Sequence, residues 1–123
     1  MTTKKAYIPT EDTVNKQVVT YLRYKRLPFN HSPNEGKRSP AQAAYLKAMG
    51  MSPGFPDLFI YKPCGKYHGL AIELKREKGG RLSPAQAEWL QKLNDEGYKA
   101  VRANGYEEAI AAIETYLKEG DKE

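Results

Sequence analysis

The sequence predicts an α/β fold: a small mixed sheet with helices packed on its faces. Helical and strand-like periodicities alternate in the order helix, strand, helix, strand, strand, helix, strand, helix. The centre, Pro56 to Lys75, reads as a hairpin: two β-rich runs, Pro56-Asp57-Leu58-Phe59-Ile60 and Ala71-Ile72-Glu73-Leu74-Lys75, flank a turn rich in Gly and Pro. The 123 residues suit one core. Residues 1–123 are therefore expected to form a single domain, with a loose arm over roughly 1–9 and a frayed tail over roughly 119–123.

Thr10 is a good N-cap, and a helix follows to about Arg26. Its apolar stripe is Val14, Val18, Tyr21 and Leu22, with Val19 alongside. Glu11 falls on that stripe. It is either favourably placed at the positive helix end or aimed at a site beyond it. Asp12 lies off the stripe and reads as first-turn electrostatics. Leu27-Pro28-Phe29-Asn30 reads as a short strand, and residues 31–38 as a polar loop. A lone histidine such as His31 is more often a structural hydrogen-bonder than a catalyst.

Ser39-Pro40-Ala41-Gln42 and Ser83-Pro84-Ala85-Gln86 each open a helix, with Ser as N-cap, Pro at the first helical position and Gln at the third. This shared phrase is a standard helix opening, not a repeat. Gln86 closes a capping box with Ser83. It also shares a face with Trp89, Leu90 and Leu93, which points it inward. Tyr98 to Ala103 is a last strand. The helix from Tyr106 carries Ala109, Ile110, Ile113, Tyr116 and Leu117, a stripe for core or dimer contact.

The hairpin carries the chemistry. Leu70, Ile72 and Leu74 point one way, while Ala71, Glu73 and Lys75 point the other. If Lys62 and Gly69 close the turn, Asp57 falls opposite Leu74, beside Glu73. A slip of one residue puts it directly opposite Glu73. Two close carboxylates repel, and a hard divalent cation such as Mg²⁺ or Mn²⁺ relieves the repulsion. A neighbouring lysine can orient water or neutralise charge on a phosphoryl group. The bland alternative is an exposed strand face with a Lys/Glu arrangement.

Pro56-Asp57 followed by Glu73-Leu74-Lys75 resembles the PD-(D/E)XK nuclease signature. With Gly54-Phe55, Leu58-Phe59, Gln86 and Trp89, it is similar to the virus-type replication-repair nuclease (VRR-NUC) family over about Glu11 to Leu117. The resemblance implies a restriction-endonuclease-like fold and a Mg²⁺-dependent DNA endonuclease, with Mn²⁺ substituting. It implies Asp57, Glu73 and Glu11 as metal ligands, with Glu35 competing to be the third acid, and Lys75 and Gln86 completing the catalytic set. It also implies a homodimer acting on branched DNA, such as Holliday junctions, in a DNA repair, recombination or phage setting.

Charge is consistent with a polyanion partner. Residues 1–50 hold nine Lys/Arg against three Asp/Glu, and residues 51–123 hold eleven against twelve, so the net +5 lies in the first half. Lys4, Lys5, Lys37, Arg38, Lys78 and Arg81 are the expected DNA contacts, the last two on a flexible Gly-rich loop. No apolar run approaches the ~18 residues of a membrane span. The single cysteine, Cys64, cannot form an internal disulfide and reads as a bystander in the turn, which suits a bacterial or phage-infected cytoplasm. Two other functions fit less of the pattern: a sequence-specific restriction or homing-type nuclease on linear duplex, and a non-catalytic basic nucleic-acid-binding module.

Overall fold

The computed structural model describes residues 7–32 and 38–120. Its elements run α1 (Glu11–Tyr24), β1 (Phe29–His31), α2 (Pro40–Ala48), β2 (Leu58–Ile60), β3 (Leu70–Lys75), α3 (Pro84–Asp95), β4 (Lys99–Asn104) and α4 (Gly105–Glu119). The sheet order is β1-β2-β3-β4. The pairs β1–β2 and β2–β3 are antiparallel, and β3–β4 is parallel through the α3 crossover. This is the mixed sheet flanked by helices that the periodicities predict.

Boundaries differ by a residue or two for physical reasons. The first strand starts after Pro28, whose missing N–H cannot join a ladder; only its carbonyl is used, accepting from Tyr61 N at 2.8 Å. α1 stops at Tyr24 because Arg26 turns left-handed, φ 56°, and Leu27 N closes back on Leu22 O at 3.1 Å.

Both sheet faces are covered. On one side Leu70, Ile72 and Leu74 join Val14, Val18 and Leu22 of α1 and Ala109, Ile113 and Tyr116 of α4. The α4 stripe is therefore core. Cys64 belongs to this cluster too, because the hairpin turn folds back onto α4. On the other side Phe59, Ala71 and Ala100 pack with Leu93 of α3, flanked by Phe55, Trp89, Leu90 and Tyr98. Every residue of β3 is consequently buried, including Glu73 and Lys75. The exposed polar face of the bland alternative does not exist. α2 stands apart, with no buried residue of its own.

The loop before β2 is pinned to the start of α3. Gly54 has φ +84°, and a Cβ there would lie 2.6 Å from the backbone carbon of Ala85 and 2.7 Å from Gln86 N. Only glycine allows both the left-handed backbone and this approach. Gly50 is also left-handed, φ +101°, but a Cβ there meets nothing within 4 Å. Gly50→Ala is expected to cost about the 1–2 kcal/mol of left-handed backbone, and Gly54→Ala clearly more. Denaturant unfolding of the two variants checks this; equal losses would mean that the loop is not clamped to α3.

Candidate active site

The site gathers at the C-terminal end of β3. The ladder pairs Leu58 with Ile72 and Phe59 with Ala71, so continuing it sets Asp57 across from Glu73. This is the slipped register of the two the hairpin allowed. Asp57 is then locked from two sides. Its Oδ2 accepts from Leu74 N at 2.8 Å. Its carbonyl accepts from Ser32 N at 2.8 Å and meets His31 Nδ1 at 3.0 Å. A carbonyl only accepts, so Nδ1 carries the proton. His31 is thus a structural hydrogen-bonder that fixes the Asp57 backbone. Nothing in sequence spacing pairs positions 31 and 57; only the β1–β2 register does.

Glu73 is 1% exposed and Lys75 6%. Lys75 Nζ lies 3.8 Å from Glu73 Oε1 and 4.0 Å from Glu11 Oε1, so the first turn of α1 reaches the same strand end. Gln86 performs both roles the sequence allowed. Its Oε1 accepts from Ser83 N at 2.8 Å and its N accepts nothing but donates to Ser83 Oγ at 3.1 Å, which completes the capping box. Its Nε2 donates to Glu73 Oε1. Gln42 makes the same box with Ser39 on α2. A helix cap therefore delivers an amide N–H to the acid, and the α2 copy marks what capping alone looks like.

Burial, with the Asp57 charge second, pushes the Glu73 carboxyl up to about 8, while Lys75 pulls it the other way. The acid pair thus holds a proton at neutral pH when no cation is present. Glu73 Oε2 is buried without a hydrogen-bond partner among the described residues. An unsatisfied buried carboxylate oxygen beside a second carboxylate fits a hard divalent cation, and Mg²⁺ needs only one or two carboxylates because it keeps several waters. No group of three His, Cys, Asp or Glu side chains is close enough to hold an ion among the described residues. The contact found for Glu11 is with Lys75, and Glu35 lies outside the described residues.

Of the expected DNA contacts, Lys78 and Arg81 are exposed on the turn that follows Lys75. That turn is held, not slack: Arg102 Nη2 donates to Gly80 O at 2.7 Å, and Arg102 Nε to Asn104 Oδ1 at 2.8 Å. Arg102 went unnoticed in the sequence, where nothing ties it to residue 80. Arg38 is exposed and donates to Met51 Sδ at 3.7 Å. Lys4, Lys5 and Lys37 lie outside the described residues. No helix among the described residues is long and apolar enough to cross a membrane.

The four-stranded mixed sheet, with the acid pair where β2 and β3 meet, defines a restriction-endonuclease-like fold. The VRR-NUC domain model matches residues 10–107. A solved structure described as a VRR_NUC domain protein superposes with a TM-score of 0.79, at 36% identity over 93% of each chain. No curated protein matches the chain. The chain belongs to the VRR-NUC domain family.

Two outcomes follow from the buried acid. An unfolded Glu titrates near 4.5 and Glu73 in the fold near 8. Between those values the folded state binds more protons, so rising pH removes stability. In EDTA the thermal midpoint should fall from about pH 5 to pH 8, and Glu73→Gln should flatten that fall; a wild-type midpoint that does not fall relative to the variant would contradict a protonated, buried Glu73. Gln86→Ala should also cost at least ~1 kcal/mol more than Gln42→Ala, because both lose a cap but only the first strips a hydrogen bond from a buried acid. Equal losses in chemical denaturation would reduce Gln86 to a cap.

Proposed function

We propose that this protein is a divalent-metal-dependent DNA endonuclease that hydrolyses phosphodiester bonds. The observation that carries the reading is the buried Glu73 carboxyl paired with the half-buried Asp57, with the buried Lys75 ammonium beside it, in a chain of a nuclease family. Asp57 and Glu73 would hold Mg²⁺ or Mn²⁺, which when bound supplies an activated water and neutralises charge on the phosphoryl group. One ion or two fits this reading.

The chain's own residues do the rest. Glu73 gives up its proton on loading, and the Gln86 amide keeps Oε1 in place while Oε2 is free to ligate. The clamp of Leu74 N, Ser32 N and His31 on Asp57 fixes the second ligand. Lys75 is desolvated and held between Glu73 and Glu11, so its charge acts on the scissile phosphate with little screening. Glu11 serves the site chiefly by orienting Lys75, with or without joining the ion's outer shell. Lys78, Arg81 and Arg38, and Lys4, Lys5 and Lys37, supply backbone contacts.

The substrate we propose is branched DNA, cut by a homodimer in the manner of a junction resolvase. Short strands and loops favour recognition of shape over base sequence, and a two-fold dimer would offer two sites to a symmetric junction. Purified protein incubated with matched four-way-junction and linear duplex DNA should cut the junction with Mg²⁺ or Mn²⁺ and not in EDTA. Asp57→Ala and Glu73→Ala should abolish cutting, and Lys75→Ala should reduce it by roughly 10²–10³-fold. Glu11→Gln should weaken cutting more than Glu35→Gln; the reverse order would reassign the third acid. Specific cutting of linear duplex would favour a restriction-type enzyme, and metal-independent binding without cutting would remove the nuclease reading.

A further inference from the structure

Asp57 has a second neighbour that the cleavage chemistry does not use. A cleft of about 350 Å³ opens between the end of β1, the loop after α2 and the outer side of α3. Its floor is Phe55 and Trp89, packed edge to face at 5.0 Å, with Phe55 in turn stacked on Phe59 at 6.5 Å. Met51 and Gly50 also line it, and its polar lining is Asn30, His31, Ser32 and Ser52. Both aromatic rings are only partly buried.

Four features say what such a cleft takes. Its volume falls at the small end of the range for organic ligands, and an aromatic floor with a few polar groups gives such sites their affinity and orientation. Stacking rings with rim donors and acceptors are how proteins hold a nucleobase outside a duplex, reading its edge while its face lies on an aromatic ring. The location ties it to the acid pair: His31 and Ser32 on the rim are the two residues that grip the Asp57 carbonyl. Arg38, outside the lining, donates to Met51 Sδ at 3.7 Å, which sets a cation beside the cleft for the backbone of the same nucleotide.

We propose that this cleft binds one unpaired nucleobase of the DNA strand presented to the site. The inference rests on the nuclease reading and deepens it. A fully paired duplex cannot place a base there without extruding it, so strand ends, branch points and mismatches are favoured on energetic grounds. It also gives Phe55 and Trp89 a task besides packing.

Trp89 is the single tryptophan of the chain, so its fluorescence reports on the cleft directly. The test is a titration in EDTA, where no cutting occurs, with a short oligothymidylate and with an abasic strand of the same length and charge. The oligothymidylate should quench Trp89 and bind at least about fivefold more tightly than the abasic strand, the low end of what one stacked base supplies. In Trp89→Leu, followed by anisotropy of labelled strands, the abasic affinity should persist and the preference for bases should disappear. Equal affinities without quenching, or a preference that survives in Trp89→Leu, would overturn the proposal while leaving the nuclease reading intact. If neither strand binds, the cleft proposal fails, while metal-dependent cutting of the junction tests the nuclease reading separately.

Discussion

A carboxylate on a strand covered from both sides is costly, and the rest of the site is a response to Glu73 being there. Desolvation and the neighbouring Asp57 both favour the protonated form. Lys75, 3.8 Å away, offsets part of that, and Gln86 satisfies one oxygen. The other oxygen has no partner among the described residues. Such an acid is poorly placed for stability and well placed for ligation, because the proposed cation would replace the proton and supply the missing interaction.

The fold makes that placement inexpensive elsewhere. β3 is central, antiparallel to β2 and parallel to β4. Its C-terminal end therefore coincides with the start of β2 and the end of β1, and α3 begins nearby after one turn. Asp57, His31, Lys75 and Gln86 reach one place from four different segments without any long reach. Helix starts contribute as well: Glu11 opens α1, and Gln86 sits in the first turn of α3. The Gly54 approach to Ala85 and Gln86 couples the loop carrying Asp57 to the helix carrying the amide, so the two acids' supports move as a unit.

Much of this was legible in the sequence. The element order, the α1 stripe of Val14, Val18 and Leu22, and both capping boxes follow from periodicity and local chemistry, which act within a few residues. The hairpin placed Asp57 near Glu73 but left two registers open, since a turn of several residues closes with either parity. What alternation could not reveal is that the second face is also covered: Ala71, Glu73 and Lys75 look like a solvent face, and α3, brought back by the crossover, covers Ala71 and Glu73 while the turn at Gly80 packs on Lys75. Contacts between distant segments were out of reach for the same reason. His31 with Asp57, Arg102 with Gly80, and Glu11 with Lys75 depend on sheet order, which no local pattern encodes.

The proposed chemistry depends on Glu73 exchanging a proton for a metal ion. The most direct measurement is calorimetric titration of Mn²⁺ into the protein near pH 7 in two buffers of different ionisation enthalpy, which counts protons released per ion bound. About one proton should be released on binding, and both binding and release should be lost in Glu73→Gln. Metal binding without proton release, unchanged in that variant, would contradict it.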